Sequence, residues 1–420
     1  MYMFHNQDLL TIPGDILIPA MFDVHYPGSL PYVCGDFRYK NGFQNTEAFK
    51  FAIERINSGN ASVKFNAGVK LGGIGFDGCM DDSRASTLVA ALYAGVYPLE
   101  NGRFTTPLER FTHWLTYSNG FTIGTASYEM PVVTPGATSP LLDDKTKYTN
   151  LFRTIPSDTV IVKAMAQTAK ILGFEYIITL NAPEKGARDS LEEFRKYLKA
   201  EGLCIGASYE FETDGTMEQL IDYIVSSSSR VVAVFADPDR HIEGLLTAKS
   251  RNNAATNIIF LSNRIWSNPM ISDVPLNLLA YAERSLMFGM PQVPLPAFRN
   301  YLSNKYPNTY HENPWFYQFY QDFFKCNLGG NWKYPSSCLN PNGRPIITCK
   351  LVYLPLDILF KLIISGDFDQ LLFPCFPASG SFVEDYTVLP TIHAVEAIAH
   401  GVHKTLQLKC GSDYAYVCSK

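Results

Sequence analysis

Hydroxyl-bearing and small residues follow a short apolar run near residue 130, where they could bind a small polar ligand. The segment PGATS, residues 135–139, comes directly after a predicted strand over 130–134. Ligands of α/β proteins bind at the carboxyl ends of sheet strands, and turn N–H groups with a Thr hydroxyl suit a carboxylate or an ammonium group. A plain strand–helix connection has the same composition, so the segment alone leaves both interpretations open.

Other residue patterns give no indication of a catalytic centre. Residues 73–78, GIGFDG, have the spacing of a dinucleotide loop, but polar residues follow them where a helix would be needed. His393, His400 and His403 fall on nearly one helical face without an acidic partner for a metal site. Hydrolase elbows, P-loops and zinc-protease motifs do not occur. We therefore predict a protein that is not an enzyme and holds neither cofactor nor metal, with residues 73–78 as a strand-end loop.

Length and composition bound the architecture that positions these residues. A chain of 420 residues allows two or three domains, and 46% hydrophobic with 18% charged residues is ordinary globular composition. The net charge of −5, without long basic runs, counts against nucleic acid as a partner. The N-terminus shows no signal peptide, and no apolar stretch is long enough to span a membrane.

Short β-branched runs alternate with helical periodicity through most of the chain. Four runs predict buried strands, at residues 16–22, 176–180, 231–235 and 258–261. Helices are predicted between them, including one capped by Ser157 or Asp158. The alternation predicts an α/β fold with parallel sheets. A second unit begins near residue 158 and extends to about 290, and the remaining tail packs back on the first unit.

Nine cysteines without a C-x-x-C pair indicate disulfides in an oxidising, extracellular compartment. Cys326 with Cys338, and Cys410 with Cys418, are local pairs in loop-like sequence. The odd ninth thiol is either bonded to a partner outside this chain or free and buried.

Several segments, taken together, resemble one known family. They are GDILIPAMFDVH (14–25), CGDFRYKNGFQNTEAFKFAIERIN (34–57), MPVVTPGATSPLLDDKTKYTNLFRTIPSD (130–158), AMAQTAKILGFEYI (164–177), GLCIGAS (202–208), NPWF (313–316) and AVEAIAHGVHKTL (394–406). The chain resembles the extracellular Venus-flytrap domain of class C G-protein-coupled receptors, closest to the metabotropic glutamate receptor group. The similarity runs through nearly the whole chain.

This resemblance implies a bilobed fold of the periplasmic-binding-protein-like type I, with two doubly wound parallel-sheet lobes joined by crossing strands. Residues 1–157 and 293–420 form the dimerising first lobe. Residues 158–292 form the closing second lobe, whose last strands are expected to be missing from this chain. The resemblance also implies a homo- or heterodimer, whose non-covalent contact is made by first-lobe helices within the segment from Ala85 to Tyr128. It further implies downstream cysteine-rich and seven-helix domains that act on a G protein.

The resemblance further implies a small extracellular ligand, an amino acid or amine, held in the cleft between the lobes. Gly136 and Thr138 supply backbone and hydroxyl contacts, and Asp158 is the partner of the ligand ammonium. Thr116 is a weaker candidate, near the position where the family grips the α-carboxylate. Lys185 stands where the family has a Tyr, and Asn263 replaces a second acid that faces the ammonium.

At two positions that would contact the ligand side chain, this sequence differs from the glutamate-binding members of the family. Asn45 stands where glutamate-binding members carry an Arg, and Thr387 stands where they carry a Lys. Neutral side chains cannot replace a bidentate guanidinium, which counts against glutamate as the ligand. Both residues remain weaker candidates for ligand contact.

The resemblance also assigns the cysteines. It pairs Cys34 with Cys79, Cys326 with Cys338 and Cys410 with Cys418, allows Cys349 to pair with Cys375, and leaves Cys204 to bond the following cysteine-rich domain. Asn60-Ala61-Ser62 is a sequon for N-glycosylation.

The sequence thus predicts the ligand-binding domain of a metabotropic-glutamate-receptor-like class C receptor at the extracellular face of the plasma membrane, part of a longer membrane protein. It would signal by lobe closure within a dimer. Two alternatives stay open: a flytrap ectodomain of another receptor type, and a divergent receptor copy that no longer binds ligand.

Overall fold

The structure is a computed structural model that describes residues 9–30, 32–38, 42–66, 68–93, 114–116, 131–236, 241–266, 274–290, 293–307, 309–329, 333–339 and 384–418. In chain order the strands and helices are β1 (Leu10–Ile12), β2 (Ile16–Phe22), β3 (His25–Pro27), β4 (Cys34–Phe37), α1 (Gly42–Asn57), β5 (Leu71–Asp77), α2 (Asp82–Tyr93), β6 (Trp114–Thr116), β7 (Val132–Thr134), β8 (Leu151–Arg153), α3 (Asp158–Ile171), β9 (Tyr176–Asn181), α4 (Lys185–Ala200), β10 (Cys204–Glu210), α5 (Met217–Ser226), β11 (Val231–Phe235), α6 (Glu243–Arg251), β12 (Ile259–Ser262), α7 (Leu276–Leu279), β13 (Leu286–Met287), α8 (Pro296–Ser303), α9 (Phe316–Phe324) and α10 (Val388–Cys410).

The chain folds into two compact units. Unit one comprises Met1–Ala137, Asn150–Thr154 and Gln292–Lys420, and unit two comprises Thr138–Thr149 and Ile155–Pro291. The segment Thr138–Thr149, which the resemblance assigns to the first lobe, packs with unit two.

Unit one is built on a six-stranded sheet with the strand order β1-β5-β2-β6-β7-β8. Of its strand pairs, β1–β5 is antiparallel, and the other four are parallel. Every residue of β5 and six of the seven in β2 are buried, as expected for central strands covered on both faces. Helices α1 and α10 pack against each other and share the hydrophobic core of this unit.

Glycines in β5 allow aromatic rings to lie against the strand. A Cβ atom at Gly73 would lie 2.4 Å from the ring of Phe49, and one at Gly75 would lie 2.8 Å from the ring of Phe22. Both distances are too short for carbon–carbon contact, so larger residues would displace the rings. The interpretation of residues 73–78 as a strand-end loop is therefore wrong, because Gly73 and Gly75 lie inside a buried strand that the rings approach closely.

Unit two contains a five-stranded, all-parallel sheet with the order β10-β9-β11-β12-β13. Its strand residues alternate between two cores: Ile178 and Val232 belong to one, and Ile177 and Ala233 to the other. Residues of α5 and α6 complete the first core, and residues of α3 and α4 complete the second. Helices on both faces of a parallel sheet confirm the predicted α/β fold class.

Three disulfides join described residues. They link Cys34 to Cys79, Cys326 to Cys338 and Cys410 to Cys418, the pairs that the resemblance implied. Cys349 and Cys375 lie outside the described residues. Among the helices that the structure describes, none is both long enough and apolar enough to cross a membrane.

Candidate functional site

The start of helix α3 brings two of the predicted ligand-binding residues together in unit two. Ser157 caps the helix by accepting the N–H of Thr159. Asp158 is the first helical residue and is only 2% exposed, and its backbone N–H donates to the carbonyl of Thr138 at 2.9 Å. A helix N-terminus favours a negative charge. The geometry therefore presents a buried carboxylate beside the Thr138 loop.

Arg264 is the ion-pair partner of this carboxylate. Its Nη1 lies 3.0 Å from Asp158 Oδ1, and its Nη2 lies 3.3 Å from Oδ2. Nη2 also lies 3.4 Å from Thr138 Oγ1, and the Ser190 hydroxyl lies 3.0 Å from Asp158 Oδ2. The acid that the resemblance assigned to a ligand ammonium thus has a cationic partner from its own chain.

The loop that carries Arg264 follows strand β12 and is held in place by Ser262. The Ser262 hydroxyl oxygen accepts the backbone N–H of Arg264 at 3.2 Å and the indole N–H of Trp266 at 2.5 Å. Trp266 is fully buried and contacts the Phe260 ring edge-on. Sequence reasoning missed Arg264, although this charged residue directly follows the candidate Asn263.

Asn263, on the same loop, carries an unsatisfied acceptor. Its side chain is buried, and its Oδ1 has no hydrogen-bond partner within the part of the chain that the structure describes. A buried acceptor left unpaired costs about 1–3 kcal/mol. Because native proteins pair nearly all such groups, this oxygen is a candidate acceptor for an external N–H or O–H donor.

Lys185 begins helix α4 and lies largely exposed beside an acidic partner. Its Nζ is 3.1 Å from Asp189 Oδ1, and the hydroxyl of Ser139 donates to Asp189 Oδ2 at 2.8 Å. Ser139 follows Thr138 directly, so these contacts fix the Thr138 loop against α4.

A second polar group lies at the same carboxyl edge of the unit-two sheet. Asn181 ends β9 and Glu210 ends β10, and the Asn181 amide donates to Glu210 Oε2 at 2.9 Å. Arg188 adds a bidentate pair at 2.6 and 2.7 Å. The hydrogen bonds from Arg188 lower the pKa of Glu210 to about 2, despite some opposing desolvation. Sequence reasoning did not single out this group.

In unit one, the side chains of Asn45 and Thr387 form a hydrogen bond. The Thr387 hydroxyl lies 2.8 Å from Asn45 Oδ1 and also bonds Asp385. The backbone N–H of Thr387 donates to Asp385 Oδ1 at 2.8 Å, and the backbone N–H of Asp385 donates to Gln44 Oε1 at 2.8 Å. These positions hold neutral side chains around a buried carboxylate, which disfavours an incoming anion.

Comparison with known proteins agrees with this fold. A family model described as "Receptor family ligand binding region" matches residues 123–337, slightly more than half of the chain. The chain belongs to this receptor ligand-binding family.

The individual relatives of this receptor domain are class C receptors. Metabotropic glutamate receptor 4 of Mus musculus is 26% identical over 347 residues, which cover 77% of this chain and 37% of that receptor. Metabotropic glutamate receptor 4 of Macaca fascicularis is 27% identical over 347 residues, which also cover 77% of this chain and 37% of that receptor. The extracellular calcium-sensing receptor of Mus musculus is 26% identical over 348 residues, 77% of this chain and 31% of that receptor. The chain spans about a third of the length of these relatives, and its resemblance to class C flytrap domains is confirmed.

Two other predicted ligand residues of the receptor domain lie in unit one. Thr116 is the buried last residue of β6, opposite Met21 of β2. The N–H of Gly136 donates to Thr134 Oγ1 at 3.3 Å, and the N–H of Ala137 donates to the same oxygen at 2.8 Å. The ligand roles of both residues stay predictions.

One cluster of the receptor domain has metal-ligand chemistry. Among the residues searched, His25, Cys34 and Asp77 place one ligand atom each within 4.8 Å of one another. The Cys34 sulfur is bonded to Cys79, so it is not a thiolate. Asp77 contacts His25 Nδ1 at 2.5 Å and accepts the N–H of Val24 at 2.9 Å. These contacts make Asp77 a structural link between strands.

The remaining predicted positions lie on the surface or outside the described residues. Asn60 is exposed, and Cys204 is exposed and free of a disulfide. Glycosylation of Asn60 and an external partner for Cys204 stay predictions. Most of the predicted dimer segment, 94–113 and 117–128, lies outside the described part of the chain.

Proposed function

We propose that the chain is the extracellular ligand-binding domain of a metabotropic-glutamate-receptor-like class C receptor, and that unit two binds a small ligand through Asn263. The observation that carries the proposal is the buried Asn263 Oδ1, which has no hydrogen-bond partner among the described residues and lies beside the Asp158–Arg264 pair. It lies just beyond the carboxyl end of β12, where α/β sheets bind ligands. A ligand N–H or O–H would satisfy this oxygen.

The proposed ligand is an amino acid or amine other than glutamate. Ammonium and amide groups supply the donor that Asn263 Oδ1 needs. Asn45, Thr387 and Asp385 in unit one provide no cation for a side-chain carboxylate. Signalling by lobe closure within a dimer, through a cysteine-rich and a seven-helix domain to a G protein at the plasma membrane, is part of the same proposal.

A thermal-shift screen of the standard amino acids and small amines tests this function. A ligand at 100 times its Kd should stabilise the chain by about 2.7 kcal/mol. Asn263→Ala should weaken that ligand at least about tenfold, because one buried hydrogen bond is lost. Asn304→Ala, at an exposed position of unit one, is the matched control and should bind as wild type.

The alternative, a divergent copy that binds no ligand, is favoured by one observation. Asp158 is already satisfied by Arg264 and Ser190 from its own chain. The screen separates the two functions: the absence of any stabilisation at millimolar concentration, or equal affinity in wild type and Asn263→Ala, contradicts the proposed function and supports the alternative.

A further inference from the structure

The guanidinium of Arg264 lies in a setting that would also hold a free organic cation. Among its partners in the described part of the chain, both carboxylate oxygens of Asp158, Thr138 Oγ1 and the carbonyl oxygen of Asn263 lie within 3.4 Å of its nitrogen atoms. All four can accept hydrogen bonds, and one pair carries a negative charge. Such a set matches the three N–H donors of an ammonium as well as it matches a guanidinium.

We propose that Arg264 is a built-in competitor for ligand ammonium groups, and that it sets the affinity of unit two for amines and α-amino acids. The inference rests on the function proposed above, and it adds a residue that determines specificity. While Arg264 pairs with Asp158, a ligand ammonium cannot form the charge-assisted hydrogen bonds that this carboxylate offers.

The competition favours Arg264 because it is tethered. A side chain on a short loop is present at an effective concentration of about millimolar or more. Its bidentate geometry adds a second hydrogen bond to the carboxylate, which a single ammonium nitrogen does not match in the same way. Amines well below that concentration would therefore not displace it.

The side chain of Arg264 can be removed without removing the supports of its loop. Ser262 binds the backbone N–H of residue 264 and the indole of Trp266, and neither contact uses the guanidinium. The Arg264 side chain is 21% exposed, so water or a small cation can reach the position it leaves. Truncation should thus expose a carboxylate that retains its helix N-terminus and Ser190.

Calorimetric titration of the full chain with methylammonium, glycine and N-acetylglycine tests the inference. In Arg264→Ala, methylammonium and glycine should bind at least about tenfold more tightly than in wild type, a difference of about 1.4 kcal/mol. N-Acetylglycine lacks the ammonium and should bind both proteins alike. Adding Asp158→Asn to Arg264→Ala should abolish the gain. Arg251→Ala, which removes an exposed arginine of the same unit, should leave binding unchanged.

Three outcomes overturn the inference: equal ammonium affinity in wild type and Arg264→Ala, a gain that survives Asp158→Asn, or an equal gain for N-acetylglycine. If Arg264→Ala does not fold, Arg264→Gln removes the charge while keeping the chain length, and the same gain is required of it. Failure of the proposed function is distinguishable, because it is read from wild type against Asn263→Ala and does not involve residue 264.

Discussion

The Asp158–Arg264 ion pair should be coupled much more strongly than an exposed pair of the same kind. Unit two offers a matched comparison, because Arg251 and Glu218 also lie 3.0 Å apart. The side chains of Asp158 and Arg264 are 3% and 21% exposed, whereas those of Glu218 and Arg251 are 54% and 67% exposed. The two ion pairs therefore have the same nitrogen–oxygen distance and differ in their exposure to water.

The expected coupling energy of each ion pair follows from this difference in exposure. Removing one partner of a fully buried pair costs about 3–5 kcal/mol, because the other charge is left uncompensated. Arg264 is partly exposed and Asp158 keeps the Ser190 hydroxyl, so we expect Arg264→Met to cost about 2–3 kcal/mol. The coupling energy with Asp158→Asn should be about 1.5–3 kcal/mol. The exposed pair should give about 0.2–1 kcal/mol.

Urea denaturation of the single and double variants measures both couplings. The free energy of unfolding is obtained by linear extrapolation for Arg264→Met, Asp158→Asn and their combination, and for Arg251→Met with Glu218→Gln. The reasoning is refuted if the coupling of Asp158 with Arg264 does not exceed that of Arg251 with Glu218.

Two further predictions concern unit one. Burial lowers the pKa of His25, but its hydrogen bond to Asp77 and the charge of Asp77 outweigh burial and raise it. Protonated His25 should therefore stabilise the fold below about pH 6.5. The Tm should fall more steeply from pH 6 to 8 in wild type than in His25→Gln. Parallel curves of Tm against pH for the two proteins would contradict this prediction. Tyr310→Phe removes a hydroxyl that lies 2.7 and 3.0 Å from the two oxygens of buried Glu47, and should cost about 1.5–3 kcal/mol by calorimetry. The Tyr317 hydroxyl makes its hydrogen bond near the surface, so Tyr317→Phe should cost less than about 0.5 kcal/mol. Equal losses of stability in Tyr310→Phe and Tyr317→Phe would show that burial of Glu47 is not the cause.

The buried strands could be predicted from the sequence because their signal is local. A run of β-branched residues bounded by polar sequence predicts a parallel strand, and β11 begins and ends where its run does. Strand β12 begins and ends one residue later than predicted. The same reasoning did not predict a strand at Gly73 and Gly75. Glycine is required at these positions because the rings of Phe49 and Phe22 approach the strand closely.

The partners of the site residues could not be predicted from local patterns. Asp158 and Arg264 are 106 positions apart, and Asn45 and Thr387 are 342 positions apart. Resemblance to a family identified Asp158, Asn45 and Thr387 as positions of interest. It could not show which of them this chain satisfies internally, because that depends on side-chain reach in the folded units.

The polar residues of the two units support a more specific conclusion than either the family or the sequence does. A receptor copy released from ligand binding would gain stability from pairing every buried polar group. Asn45 and Thr387 are paired with each other, and Asp158 is paired with Arg264. Asn263 Oδ1 stays buried without a partner in the described residues, although a hydrophobic side chain there would avoid the cost. Under the proposed function, a donor on the ligand would offset that cost, and the pairing of Asp158 with Arg264 would require a ligand held differently from glutamate.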